Sequence, residues 1–465
     1  MDASLSFAAL VAEQRRYFRT GATLDPAFRT RKLLALHDAV RKHEADLHDA
    51  LRRDLGKGAG EAYLTETGQV LDEVRYMARK VGRWAQPRRA GGVPALWPAS
   101  SRIHPEPLGV TLIFSPWNYP VQLALLPLAA AVAAGNCAVL KPSSSAPATA
   151  EALRVLVEAV FDPAHVALVK GGPHGVDGHA EDTATALLRE RFDFIFYTGS
   201  ARVGRIITAA AAPHLTPVCL ELGGKSPAIV TADAPLDSAA KRIAWGKSLN
   251  AGQTCIAPDH VWVDKTIKDR FQDLLRGHFT RMAGVDPLTN DNYGRIVSAK
   301  AFDRLIGLAA RSRAPLRADR ERLKIAPCVF EASPDDAVMA EEIFGPLLPV
   351  LPYEHLEDAL NFVRDRPKPL ALYLFTRDKA VRDQVLRSVP FGGGCVNDVV
   401  LHAASRKLPF GGVGESGMGR YHGRAGFDLF SNLKSVVHQR LRPDIPLRYP
   451  PYSPGRLALL RKILR

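Results

Sequence analysis

Between Pro107 and Leu140 no side chain carries a charge, yet the stretch is cut by Pro116, Asn118, Pro120, Pro127, Gly135 and Asn136. An unbroken apolar run of that length would be a candidate membrane span. The breaks instead divide it into a strand at Val110-Thr-Leu-Ile-Phe114, a turn, an apolar helix from about Val121 to Ala134 and a second strand at Cys137-Ala-Val-Leu140. Such a segment has to lie inside a large core. The 465 residues can build one: 46% are hydrophobic and 24% charged, the balance of a soluble protein of two or three structural units.

Helical spacing of apolar positions from Arg29 to Leu55 and from Glu61 to Val81 predicts opening amphipathic helices. Gly91, Gly92, Pro94, Pro98, Pro105 and Pro107 then mark a crossing arm with a short strand at Ser101-Arg-Ile-His104. β-rich runs at Val110, Cys137, Val166, Phe192 and Val218 alternate with helical stretches, the βαβ rhythm of a parallel sheet covered on both faces. A second set, at Ala228, His260, Leu348 and Leu370, predicts a second α/β unit.

The five cysteines are an odd number, widely spaced and without CxxC or Cys/His ligand spacing, so neither a disulfide framework nor a metal site is expected. With no basic and apolar leader at Met1-Asp2, a cytoplasmic location is expected. The net charge of +14 is uneven: from Asn432 onward eight Lys or Arg face one acid, Asp444. No nucleic-acid motif accompanies that charge.

Two pattern matches carry little. Gly412-Val-Gly414-Glu-Ser-Gly417 fits GxGxxG but opens no helix after a strand, and Gly224-Lys225-Ser226 lacks the earlier Walker glycine, which is Cys219. Tyr197-Thr-Gly199-Ser200 is more informative, because it ends a strand and starts a helix with Val203-Gly204 in its first turn. Such a start holds a pyrophosphate or is an ordinary Ser-capped helix. Cys255 sits among small residues in Asn250-Ala-Gly-Gln-Thr-Cys255, Glu221 ends a strand before two glycines, and Asn118 lies between prolines. These residue types supply a nucleophile, a base and an oxyanion donor; individually each also reads as core thiol, surface acid or turn cap.

Pro116-Trp-Asn-Tyr-Pro120, Leu140-Lys-Pro142, Thr198-Gly-Ser200, Glu221-Leu-Gly-Gly-Lys225, Gly252-Gln-Thr-Cys255 and Glu342-Ile-Phe-Gly-Pro346 occur in the order found in the aldehyde dehydrogenase superfamily. The resemblance covers nearly the whole chain. The ending Gly414-Glu-Ser-Gly-Met-Gly-Arg-Tyr-His-Gly423 and Arg448-Tyr-Pro-Pro451 resemble the class 3 branch of fatty, benzaldehyde-type and coniferyl aldehyde dehydrogenases.

The resemblance implies an α/β fold with a doubly wound cofactor-binding domain (residues 1–93 and 107–225), an α/β catalytic domain (226–425), a β oligomerisation arm (94–106 and 426–445) and a basic tail (446–465). It implies NAD and/or NADP as cofactor, an aliphatic or aromatic aldehyde as substrate, and a homodimer. By the same resemblance Cys255 attacks the aldehyde, Asn118 and the Cys255 N–H hold the oxyanion, and Glu221 activates the water that opens the thioester. Cofactor contacts are implied for Lys141, Ser144, Gly199, Ser200, Gly204, Leu222, Glu342, Phe344 and Trp117. Tyr119 and Tyr63, with Trp117, are expected to line the aldehyde tunnel. Many NAD-preferring relatives carry Glu where this chain has Ser144, so repulsion of a 2′-phosphate is absent and NADP is expected to be accepted.

Two rival readings stand beside this one. A cysteine acyl-transfer enzyme, a hydrolase or CoA-acylating relative, would use the same Cys255 without net oxidation, and a basic binding protein would use only the charge. In the tail, Leu457, Leu460 and Leu464 share a helical face flanked by basic residues. That face is expected to dock on the enzyme or its dimer partner; the alternative is a weak peripheral contact with an anionic membrane.

Overall fold

The computed structural model describes residues 6–91, 96–176 and 179–464. The expected start of the arm around Gly92 and Pro94, the opening Met1-Asp2 and the last tail residue, Arg465, lie outside them. The charge-free segment forms the strand Val110–Phe114, the helix Gln122–Ala134 and the strand Cys137–Lys141, buried almost throughout. Among the described residues no helix is long and apolar enough to cross a membrane.

These two strands pair in parallel near the centre of a six-stranded sheet. Its order is Gly417–Met418, Val218–Glu221, Phe194–Thr198, Val110–Phe114, Cys137–Lys141 and Val166–Leu168. All pairs are parallel except the first, where Gly417 and Met418 oppose Glu221 and Leu220. That pair crosses the division expected from the sequence, because residues 417–418 fall in the range assigned to the catalytic half. A second six-stranded, wholly parallel sheet runs Cys328–Glu331, Leu347–Tyr353, His260–Asp264, Pro227–Val230, Ala371–Phe375 and Gly393–Val396. The arm is a three-stranded antiparallel sheet in which Ser100–Pro107 lies between Arg88–Arg89 and Ser431–His438.

The opening helices differ from expectation. A helix at Phe7–Arg19, capped by Ser6, precedes them. The span from Arg29 is two helices, Pro26–Lys42, started by the Asp25 cap and Pro26, and Glu44–Leu55. The span from Glu61 is interrupted by a π-helical turn at Tyr63–Thr67. The extra residue in that turn rotates Glu66 inward, where it is fully buried, and leaves Tyr63 51% exposed.

The tail forms a helix at Pro454–Ile463 capped by Ser453, and none of its residues is buried. Docking of its apolar face on its own protomer, one of the two placements expected from the sequence, is therefore not observed.

Candidate active site

Parallel strands of one sheet end at one edge, so Phe114, Lys141, Thr198 and Glu221 deliver the segments that follow them to a common rim. Glu221 is 2% exposed, and neither of its carboxylate oxygens has a hydrogen-bond partner among the described residues. Burial pushes its pKa well above the usual carboxylate range, opposed by the charge of Arg420. The loop with the GxGxxG pattern packs behind this carboxylate: a side chain at Gly411 would meet Glu221 Oε1 at 3.0 Å. Within the pattern itself it is Gly417 that packs on the strand Val218–Glu221, where a side chain would meet the Leu220 carbonyl.

Cys255 follows a backbone turn in which Asn250, Ala251 and Gly252 have φ of 50°, 51° and 76°. Three consecutive left-handed residues are costly unless the surroundings hold them. Glu61 Oε1 accepts from the Asn250 N–H at 2.6 Å, and Asn250 Nδ2 donates to the carbonyls of Asn118 at 2.9 Å and Gln253 at 3.1 Å. Gln253 in turn donates to the Asn250 and Arg295 carbonyls and accepts from the Val297 N–H. At Gly252 a Cβ would collide with the Gly345 carbonyl, so this position admits only glycine. The backbone N–H groups of Cys255 and Ile256 point toward the sulfur. Burial, followed by the carboxylates of Glu342 and Glu221, raises the thiol pKa.

Asn118 is buried, and its Nδ2 donates to the Gln253 carbonyl at 3.1 Å, leaving the second amide hydrogen free to point elsewhere. Its own carbonyl accepts from Lys57 Nζ at 2.8 Å. Lys57 pairs with Glu66 at 2.6 Å, both side chains being 0% exposed, and Glu66 Oε2 accepts from the N–H groups of Val121 and Gln122. Removing one partner would strand a buried charge at a cost of about 3–5 kcal/mol. The pair ties the π-helical turn, Asn118 and the start of the helix Gln122–Ala134 into one unit.

Two cavities meet at this point. One, of about 190 Å³, is walled chiefly by apolar side chains including Tyr119, Leu123, Trp245, Leu249 and Phe410. The other, of about 240 Å³, is lined by Trp117, Asn118, Gly199, Ser200, Leu222, Glu342 and Phe344 among others. Thr198, Glu221 and Cys255 line both. Tyr119 faces the apolar cavity with its hydroxyl 2.6 Å from Thr254 Oγ1. Tyr63 does not line it, because the π-helical turn presents Leu64 and Thr65 instead. His422, which the sequence reading did not single out, forms another part of this wall. Its φ is +79°, and its Nδ1 is held 2.6 Å from Glu73 Oε2.

In the second cavity Glu342 is pushed up to about 8 by burial and the Asp259 carboxylate, and it accepts from the Gly224 N–H. Lys225 and Asp259 fix its loop: Lys225 reaches the Val338 and Glu341 carbonyls at 2.9 Å, and Asp259 accepts from the Ile343 N–H at 2.8 Å. The Phe344 ring stands edge-on to Trp117 with centroids 5.5 Å apart. Ser200 caps the helix Ala201–Ala211 by accepting from the Val203 N–H, so the helix-cap reading holds, and its hydroxyl hydrogen is still available as a donor. Gly204, in that helix, packs against Leu222. Lys141 and the exposed Ser144 lie apart from this cavity, both close to Gly171. Burial lowers the pKa of Lys141, partly offset by Asp182.

This donor set fits a nicotinamide dinucleotide: a cation and an open hydroxyl at one end, a helix start in the middle, and a carboxylate with two aromatic rings beside the orphaned Glu221 oxygens. The sequence profile described as the aldehyde dehydrogenase family matches residues 4–436. Aldehyde dehydrogenase family 3 member H1 of Arabidopsis thaliana is 42% identical over 98% of this chain and 94% of its own. The dimeric NADP-preferring aldehyde dehydrogenase of Canis lupus familiaris is 39% identical over 95% of this chain and 97% of its own. The solved substrate-bound state of Staphylococcus aureus AldH superposes with a TM-score of 0.92 at 38% identity, covering 98% of this chain and 99% of that one. With matches along nearly its whole length, the chain belongs to the aldehyde dehydrogenase family and oxidises an aldehyde to the carboxylic acid with NAD(P).

Proposed function

We propose that the chain oxidises an apolar aldehyde, aliphatic or aromatic, through covalent capture on Cys255. The observation that carries this reading is the wall of Cys255, Glu221 and Thr198 shared by an apolar cavity and a cofactor-like cleft. An aldehyde entering from the apolar side presents its carbonyl carbon to the Cys255 thiolate, formed once the thiol has released its proton to solvent, and bond formation places charge on the carbonyl oxygen. The Cys255 N–H and the free amide hydrogen of Asn118 are the donors for that oxygen. Bound in the opposite cleft, NAD(P) supplies the hydride acceptor. Glu221 then takes a proton from the water that attacks the acyl carbon, the carbon–sulfur bond breaks, and the acid leaves. Lys141 and Ser144 would hold the adenosine ribose, Ser200 with Gly199 the pyrophosphate, and Glu342, Phe344 and Trp117 the nicotinamide end; Gly204 and Leu222 back the helix start. Turnover of aliphatic and aromatic aldehydes, followed as cofactor reduction, tests the reading. Thiol-dependent ester hydrolysis without any cofactor reduction would favour the acyl-transfer alternative.

Both NAD and NADP are expected to support turnover, because Ser144 is exposed and uncharged. A Ser144→Glu chain is expected to lose kcat/KM with NADP selectively, since like charges near one ribose cost on the order of 1 to 3 kcal/mol when partly screened. Equal loss with both cofactors would show that Ser144 does not face the 2′ position.

A homodimer built through the arm fits the open edge of Ser431–His438, where Val436 and Val437 are exposed and the outer side of the strand is unpaired among the described residues. The five free cysteines suit a reducing, cytoplasmic compartment. The undocked tail helix, with Leu457, Leu459 and Ile463 exposed beside Arg456, Arg461 and Lys462, supports a reversible contact with anionic membranes. Co-sedimentation with anionic liposomes at low salt is expected for the full chain and reduced for one ending at Pro454. Equal pelleting of both, or of neither, would remove the membrane contact.

A further inference from the structure

The helix Leu236–Ser248 borders both the apolar cavity and a second recess. Trp245 and Leu401 line both spaces: the cavity around Cys255 and an outer recess of about 350 Å³ bordered by Lys241, Arg242, Met282 and Asp398. Residues 241, 245 and 249 follow one another at helical spacing, so Lys241 stands at the outer recess, Trp245 at the common wall and Leu249 inside the cavity. At 1.5 Å per residue the distance along the helix from Lys241 to Leu249 is about 12 Å.

The charges of the recess do not cancel. Arg242 donates to the Asn397 carbonyl and lies 3.7 Å from Asp398 Oδ2, while Asp398 Oδ1 accepts from the Val399 N–H at 2.8 Å. Lys241 is exposed and has no ion pair with the described residues. An uncompensated ammonium thus stands at the outer recess, with Trp245 and Leu401 as the wall it shares with the apolar cavity.

We propose that this recess is a subsite for the far end of the substrate and that it favours long aldehydes bearing a distal carboxylate. With about 1.2 Å per bond in an extended chain, the distance between the Lys241 level and the Leu249 level corresponds to roughly ten bonds. Shorter substrates leave the recess unused, and neutral long ones gain only the contact with Trp245 and Leu401. The subsite rests on the assignment of the apolar cavity to the aldehyde and adds a selection rule to it.

The test compares kcat/KM for three probes, ω-oxododecanoate, dodecanal and propanal, in the full chain and in its Lys241→Ala and Lys241→Glu variants. Lys241→Glu is expected to lower kcat/KM for ω-oxododecanoate about tenfold or more and Lys241→Ala several-fold, through the reversed or missing charge. Dodecanal and propanal are expected to stay within about twofold, and the difference between probes to shrink at about 0.5 M salt, where charges at the rim are screened within a few Å. The subsite is overturned if dodecanal and its carboxylate analogue respond equally, if neither responds, or if the unmodified chain turns over dodecanal but not ω-oxododecanoate. Failure of the unmodified chain on all three probes would overturn the assignment of the cavity to an aldehyde, and the subsite with it.

Discussion

A Cys255→Ala chain is expected to lose aldehyde oxidation by roughly 10⁴-fold or more while binding NAD or NADP within about threefold of the unmodified chain. The reason is local. Sulfur is needed only for the bond to the carbonyl carbon, whereas the other residues of the cofactor cleft belong to other segments, Trp117, Ser200 and Glu342 among them. The turn that positions residue 255 is held by Asn250, Gln253 and the backbone, none of which contacts the cofactor through the thiol. Cofactor binding followed by fluorescence or calorimetry, beside turnover, separates the two effects. Retained turnover would place the nucleophile elsewhere, and joint loss of turnover and binding would mean that the turn had collapsed.

Glu221→Gln is expected to slow release of the acid by about 10² to 10⁴-fold, the contribution usual for a positioned general base. Capture and hydride departure do not require this carboxylate to take the water's proton, so the variant is expected to reduce about one equivalent of cofactor per site and then stall. The pH dependence carries a sign. Burial raises the Glu221 pKa, so the group is protonated and inactive as a base at low pH, and acid release speeds up as pH rises through its pKa. In the Gln variant that rise should vanish. A variant that still releases acid quickly, with the same pH dependence, would identify another base.

How much of this was legible beforehand follows from where each residue's environment comes from. The strand Val110–Phe114 could be bounded to the residue because a short apolar, β-rich run is closed by Gly109 and by Ser115-Pro116. Asn118, Glu221 and Cys255 sit beside prolines or glycines at strand ends and turns, so their sites are marked by local punctuation as well as by the family's motifs. Lys57 and Glu66 carried no such mark. In a chain with 62 basic and 48 acidic residues, a Lys between two opening helices and a Glu on the second read as solvated, and only the tertiary fold buries them against Asn118 and the helix start at Val121. Tyr63 was expected at the tunnel only for its aromatic ring; the π-helical turn puts Leu64 and Thr65 at that wall instead, which no residue type announces. The interaction of His422 with Glu73 joins residues 349 positions apart, a separation no local pattern reports.

The central claim is that Cys255 and Glu221 divide the reaction on one wall, the first holding the acyl group and the second releasing it. Intact-mass analysis of the Glu221→Gln chain, quenched after a single turnover with dodecanal and NAD(P), tests it most directly, with peptide mapping to locate any added group. The account predicts one dodecanoyl group per chain, carried by Cys255 and absent from a Glu221→Gln, Cys255→Ala double variant. An unmodified mass accompanied by acid formed at the rate of the unaltered chain would contradict it.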